Sequence, residues 1–249
     1  MTDYNLYRGS IFHCIEDGGN VKPVYFPDGL MVVSEGKIVE VGEYSELSVR
    51  FRSGDHIVHF KDSLIMPGFI DSHIHYPQYK VISSYGTSLL QWLNKYTFVE
   101  EQKFSDIDYA SRIAELFLDE LIKNGTTTAM TFCTSHKQSV DVFCSAAEKR
   151  NLRMIAGKVM MDRNAPDGLC DDIESSYADS KSLIEKWHNK GRLSYAVTPR
   201  FAPTSTEGQL IQAAKLLKEY PNTKNAKGVL LQTHLNENSD EIAWVKELY

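Results

Sequence analysis

From residue 64 onward, apolar segments of strand length alternate with amphipathic segments of helix length. This alternation is typical of parallel βα units, in which helices cover the faces of one sheet. The clearest helix begins at a Ser105 cap and ends at Asn124-Gly125, and a second, residues 209–220, is closed by Pro221. The strands are predicted at residues 64–75, 125–132, 154–161, 193–200 and 229–236.

Two α/β architectures are compatible with these five strands. One is a TIM-like (β/α)₈ barrel that is truncated after strand five, and the other is an open, doubly wound sheet. No glycine-rich phosphate loop follows any of the strands, so a doubly wound nucleotide-binding fold lacks its usual support. The barrel would occupy residues 64–249.

Residues 1–63 have a different pattern, with short β-branched and aromatic runs between turn signals. A short hairpin loop is predicted at Ser34-Glu35-Gly36, where the glycine can adopt a positive φ. We interpret this region as an N-terminal β-sandwich segment without catalytic residues. Its strands are predicted at residues 4–15, 29–33, 37–41 and 56–60.

Composition excludes few classes of partner. The net charge of −6 gives no electrostatic reason to expect binding to nucleic acid or to an anionic membrane. Residues 1–5 lack the features of a signal peptide, and no apolar run approaches the ~18 residues of a membrane span, so we expect a cytoplasmic protein. The cysteines have no Cys-X-X-Cys spacing and are expected to be reduced: Cys14, Cys133, Cys144 and Cys170.

The first strand of the βα region ends in His73 and His75. A period of two puts both imidazoles on one face, where they could supply half of a tetrahedral zinc site. His234, after the apolar run 229–231, could be a third ligand and would leave a coordination position for water. A simpler interpretation is open in both cases. His73 and His75 could be two solvated side chains, and His234 could be a core residue.

Other strand ends carry polar side chains as well. Glu237 lies three residues beyond His234 and could shuttle a proton beside a metal-activated water, or be a solvated loop carboxylate. The fourth strand ends in Arg200 and Phe201, and the third in Asp162 and Arg163. In barrels of this type the reactive groups lie at the carboxyl ends of the strands.

Five segments, taken together and in this order, resemble the guanine deaminase family of the amidohydrolase superfamily. They are PGFIDSHIHYPQ (67–78), LLQWLNKYTF (89–98), MMDRNAPD (160–167), VTPRF (197–201) and QTHLNE (232–237). The resemblance covers residues 64–249 and favours the barrel over the doubly wound sheet.

The resemblance implies hydrolysis of guanine to xanthine and ammonia by a metal-activated hydroxide. It assigns His73, His75 and His234 as ligands of zinc, with iron as the alternative, and Glu237 as the proton shuttle. It also implies a homodimer and two further site residues, a histidine on strand six and an aspartate on strand eight. Because this sequence contains neither strand, we predict that it is part of a longer polypeptide or is inactive alone. The positions that correspond to base-binding residues are Gln78, Trp92, Arg200 and Phe201.

Two other functions stay open. The first is an aminohydrolase for an s-triazine, cytosine or adenosine-like compound, which would share the metal ligands but not necessarily Arg200-Phe201. The second is a non-catalytic scaffold with an amidohydrolase-like fold. Arg200 can only donate hydrogen bonds, so it favours guanine O6 over the amine of adenine.

Overall fold

A computed structural model describes residues 4–51 and 57–249 of the chain. Contacts divide it into two compact units, Met1–Gly68 and Phe69–Tyr249. The sequence placed one strand across residues 64–75, but the structure has two, β4 ending at Ile65 and β5 beginning at Phe69. The reason is Pro67-Gly68, because proline lacks a backbone donor and glycine weakens a strand.

The first unit contains a four-stranded sheet of order β3-β2-β1-β4 and one short helix, α1. The predicted hairpin is confirmed, since Ser34 pairs with Lys37 across Glu35 and Gly36, which have φ of 51° and 74°. The predicted strand 56–60 begins outside the described residues at His56. The elements are β1 Asn5–Asp17, β2 Asn20–Ser34, β3 Lys37–Glu43, α1 Tyr44–Leu47 and β4 Ile57–Ile65.

The second unit is built on a parallel sheet whose strands follow one another in chain order, β5-β6-β7-β9-β10, with β8 paired to β9. A doubly wound sheet reverses its strand order at a switch point, whereas a barrel does not. The sheet is therefore an α/β arrangement consistent with part of a TIM barrel. Its strands are β5 Phe69–His75, β6 Thr126–Phe132, β7 Arg153–Gly157, β8 Val159–Met160, β9 Ser194–Pro199 and β10 Leu230–Leu231.

Two of the predicted strands differ from the structure. The strand predicted over residues 154–161 is interrupted at Lys158, whose backbone N–H donates to the Tyr195 hydroxyl at 3.1 Å rather than to a neighbouring strand. The strand predicted over residues 229–236 is regular only at Leu230–Leu231. Gln232 and His234 still donate backbone hydrogen bonds to the β9 segment, so this part of the chain continues along the sheet as irregular backbone.

Helices connect the strands. The N-cap of α4 is Asp106 and not Ser105, because the Asp106 carboxylate accepts from the backbone N–H groups of Asp108 and Tyr109 at 2.9 and 3.2 Å. Ser105 instead donates to the Gln102 carbonyl. The helices are α2 Leu89–Trp92, α3 Phe98–Glu101, α4 Ile107–Lys123, α5 Lys137–Lys149, α6 Ile173–Trp187, α7 Glu207–Glu219 and α8 Ser239–Leu248.

Two short helical segments place side chains near the ends of the strands. A 3₁₀ helix, Tyr76–Val81, continues directly from β5. A π-helical turn, Leu93–Thr97, joins α2 to α3 and makes residues 89–101 one continuous helical segment. π-Helical turns occur frequently at functional sites. None of the helices in the described part of the chain is long and apolar enough to cross a membrane.

Candidate active site

A cavity of about 410 Å³ lies at the carboxyl ends of β5, β9 and β10. Its volume lies in the range of about 300–1,000 Å³ that is usual for small-molecule sites. All the residues that the sequence singled out as ligands, shuttle or base contacts line it: His73, His75, Gln78, Trp92, Arg200, Phe201, His234 and Glu237. The fold thus brings residues from four separate segments to one place, although their roles stay predictions.

The three histidines converge inside this cavity. Their candidate ligand atoms lie within 4.8 Å of one another, and Nε2 of His75 is 3.0 Å from Nε2 of His234. Nitrogens that bind one tetrahedral zinc ion at 2.0–2.1 Å are about 3.3 Å apart. This donor set therefore fits a divalent metal ion of the zinc type.

His234 is oriented by the main chain of Arg200. The Arg200 carbonyl accepts from the backbone N–H of His234 at 2.9 Å and lies 2.8 Å from its Nδ1. The carbonyl can only accept, so Nδ1 carries the proton and Nε2 has a free lone pair. This is the usual way in which a protein fixes the tautomer of a metal-binding histidine.

His75 is oriented by packing. Its ring stacks on Phe132 with a centroid separation of 4.5 Å and an interplanar angle of 15°. Its Nδ1 is buried and has no hydrogen-bond partner among the described residues. Aromatic packing, and not a hydrogen bond, thus defines the plane of this ring.

Both of these imidazoles favour the neutral form. Burial, followed by the charge of Arg200, holds the pKa of His75 well below its ordinary value. Burial likewise lowers the pKa of His234 to about 4. Neutral imidazole is the form that binds a metal ion, so these rings are ready to act as ligands at neutral pH.

Arg200 is 2% exposed and forms an ion pair with Glu101, which is fully buried. Its Nη1 donates to both carboxylate oxygens, at 3.0 Å to Oε1 and 2.7 Å to Oε2. Burial raises the pKa of Glu101, and the positive charge of Arg200 opposes that rise. Sequence reasoning missed Glu101, although it lies three residues after the matched segment that ends at Phe98.

The other predicted base contacts present different surfaces. The indole N–H of Trp92 donates to the Ser84 carbonyl at 3.0 Å, which leaves only its ring to face the cavity. Phe201 is buried and packs edge-on against Trp244 at 6.4 Å. The Gln78 amide makes no hydrogen bond to any residue that the structure describes, so it is available to a ligand.

Glu237 is exposed, and its carboxylate has no hydrogen-bond partner within residues 4–51 and 57–249. Its backbone is held, because its N–H donates to Oε2 of Glu241 at 2.8 Å. Asn236, the residue before it, adopts a left-handed conformation with φ of 57°. This turn directs Glu237 toward the cavity that it lines.

Asp162 and Arg163, which also end a predicted strand, have structural contacts instead. Asp162 accepts from the Thr206 backbone N–H at 2.7 Å, next to the start of α7. Arg163 donates to the Ala202 carbonyl and the Tyr249 hydroxyl at 3.1 and 2.8 Å. Neither residue lines the cavity.

A parallel βα sheet with three converging histidines at its carboxyl edge is the arrangement of a metal-dependent hydrolase. The family model described as "Amidohydrolase family" matches residues 64–249, and the chain belongs to this family.

Within this family, the chain is similar to several guanine deaminases. The chain is 50% identical over 225 residues to the guanine deaminase of Escherichia coli K12. The aligned region covers 90% of this chain and 50% of that protein. The solved structure of E. coli guanine deaminase matches with a TM-score of 0.89 and 45% identity, over 99% of this chain and 56% of that one. A guanine deaminase structure from C. acetobutylicum with bound guanine matches with a TM-score of 0.87 and 34% identity, over 99% and 56%. The chain therefore spans about half the length of these relatives.

Proposed function

We propose that this chain is the metal-binding and base-binding part of a guanine deaminase, which hydrolyses guanine to xanthine and ammonia. The observation that carries the proposal is the cavity, because it gathers three imidazoles, a buried arginine and an exposed carboxylate. Its similarity to guanine deaminases, one of them solved with guanine bound, supports the choice of substrate.

His73, His75 and His234 would hold the metal ion, with zinc as the first candidate and iron as the second. Such an ion lowers the pKa of a water molecule to about 7, which makes hydroxide available at neutral pH. Because burial lowers the pKa of His75 and of His234, both rings are in the neutral, ligating form at neutral pH before an ion binds.

The remaining residues bind and orient the base. Arg200 donates to O6 of guanine, an acceptor that adenine replaces with an amine. Sites that read a hydrogen-bonding group reject an analogue that lacks it by about 10⁴ or more. Gln78 contacts the polar edge of the ring, while Trp92 and Phe201 cover its faces.

Glu237 moves the proton. It takes a proton from the attacking water and carries it to ring N3 as the hydroxyl group adds to C2. The proton of that hydroxyl group then passes to the C2 amino group, the C2–N bond breaks, and ammonia leaves as the C2 carbonyl of xanthine forms. An exposed carboxylate that has no hydrogen-bond partner among the described residues is free to move between these positions. General acid–base catalysis of this kind contributes about 10²–10⁴-fold to a rate.

The finer architecture belongs to the same proposal. We infer that the second unit is the first five strands of a (β/α)₈ barrel and that the first unit is part of a β-sandwich. The complete site then needs the histidine of strand six and the aspartate of strand eight that the resemblance implies. A homodimer and a cytoplasmic location stay predictions from the sequence.

The test measures ammonia release from guanine by the purified full-length protein that contains these residues, with Glu237→Gln and the exposed Glu247→Gln as matched variants. We expect activity in the wild type and in Glu247→Gln, and loss of activity in Glu237→Gln. A wild-type protein that releases ammonia from an s-triazine, cytosine or adenosine but not from guanine would refute the substrate. Full activity of residues 1–249 alone would refute the inference that these residues lack part of the site.

A further inference from the structure

The pair formed by Glu101 and Arg200 combines two fully desolvated charges from distant parts of the sequence. Glu101 ends α3, and Arg200 follows β9. Their exposed fractions are 0% and 2%, and both oxygens of Glu101 accept from Nη1 of Arg200. Removing one partner of such a pair leaves the other charge buried and unpaired, so neither side chain is free to reorient.

This geometry divides the donors of Arg200 into two groups. A guanidinium has five N–H donors in a rigid plane, and two of them are on Nη1. In the part of the chain that the structure describes, Nε and Nη2 donate to no protein atom. Arg200 lines the cavity, and the Phe98 ring lies 5.2 Å from its Cζ. The unused donors are therefore the ones available to a ligand.

We propose that Glu101 is a positioning residue that selects which donors of Arg200 face the substrate and so sets the preference for a purine with an oxo group at C6. The proposal deepens the guanine deaminase function above and rests on it. Because the carboxylate engages Nη1, the guanidinium presents Nε and Nη2 to the acceptor of the base. Without that contact the guanidinium can rotate, and its donors lose their fixed direction.

The adjacent Glu100 provides a matched control. It is also buried, with 4% exposure, but its carboxylate accepts from Lys103 Nζ at 2.6 Å and from the Tyr109 hydroxyl. Successive residues of a helix point about 100° apart, which is why the two carboxylates reach different partners. The pair of variants Glu101→Gln and Glu100→Gln thus separates contact with Arg200 from the general effect of neutralising a buried glutamate in α3.

The experiment compares two ligands in the full-length, metal-loaded protein: guanine as substrate, and 2-aminopurine, which lacks the C6 oxygen, as a ligand that competes with guanine. In Glu101→Gln we expect the KM for guanine to rise about tenfold to a hundredfold, the range for losing an oriented hydrogen bond to a charged group, with a smaller fall in kcat. The inhibition constant of 2-aminopurine should change less than about threefold, because this ligand offers no acceptor to Arg200. Glu100→Gln should leave the ratio of the two constants at its wild-type value.

Glu101→Asp is the second variant, because it keeps the buried charge and hence the fold. We expect it to change the ratio in the same direction by a smaller factor. In an Arg200→Lys background, Glu101→Gln should change the ratio no further, since the two residues act as one unit.

If the guanine KM and the 2-aminopurine inhibition constant rise by the same factor in both Glu101 variants, Glu101 has a merely structural role and the inference is overturned. An unchanged guanine KM in a folded Glu101→Gln protein would do the same. A wild-type protein without activity on guanine would instead refute the proposed function and, with it, the substrate-reading role of Glu101.

Discussion

Glu241 holds the turn that carries Glu237, and its removal gives a measurable local effect. It is 2% exposed, and its carboxylate accepts from the backbone N–H groups of Asn236 at 3.2 Å and Glu237 at 2.8 Å. Its own N–H donates to Asn238, the N-cap of α8, at 2.9 Å. The carboxylate of Glu241 therefore fixes the loop before the helix, and its backbone N–H joins that loop to the helix cap.

The magnitude follows from these two bonds. A hydrogen bond to a charged group contributes about 1.5–3 kcal/mol, and the longer bond to Asn236 belongs at the low end of that range. Glu241→Ala should therefore lower the free energy of opening this loop by about 3–4 kcal/mol. Glu241→Gln keeps one acceptor oxygen, so we expect about half of that loss.

Native-state hydrogen exchange measures this free energy directly, since each 1.4 kcal/mol changes the rate about tenfold. We expect the amides of Asn236 and Glu237 to exchange more than about a hundredfold faster in Glu241→Ala, and about tenfold faster in Glu241→Gln. Asp240→Asn is the control, because it removes an exposed first-turn carboxylate that makes no contact with these amides. Equal exchange in Glu241→Ala and Asp240→Asn would refute the reasoning.

Three further predictions concern the site and the sheet. His234→Ala should lower the metal content of the purified protein to a small fraction of the wild-type value, measured by elemental analysis; full occupancy would contradict the assigned ligand set. Glu237→Gln should lower kcat about 10²–10⁴-fold while metal content stays constant, and a change in KM alone would point to a binding role. Gly157→Ala should destabilise the protein by more than about 3 kcal/mol in urea unfolding, because its Cβ would lie 1.7 Å from the Ala196 carbonyl oxygen; wild-type stability would show that β7 and β9 can separate.

The order of strands and the gathering of the site could be predicted from sequence because each depends on local patterns. An apolar run that ends in His73-Ile74-His75 has a period of two, and the structure brings both imidazoles to one cavity. The strand order follows from the same alternation of strands and helices, since consecutive βα units pair with their neighbours. The lengths of the strands were less predictable. The strand predicted over residues 229–236 is regular only at Leu230–Leu231, because beyond these residues the backbone bonds to the β9 segment without strand geometry.

What the sequence could not indicate are contacts that depend on tertiary distance. Glu101 lies 99 residues from Arg200, and nothing in the local pattern distinguishes it from Glu100. The choice of Asp106 over Ser105 as N-cap was undecidable for a related reason, since both are good capping residues and they are adjacent in the sequence.

His234 donates its hydrogen bonds to the main-chain carbonyl oxygen of Arg200, while the side chain of Arg200 lines the cavity. Peptide oxygens are present whatever side chain occupies a position. With the base-reading role proposed for Arg200, its replacement during divergence would alter which heterocycle is accepted, yet leave the imidazole of His234 oriented as before. Position 200 can in this way change its side chain, and with it the ligand, while its main-chain carbonyl continues to orient a metal-binding histidine.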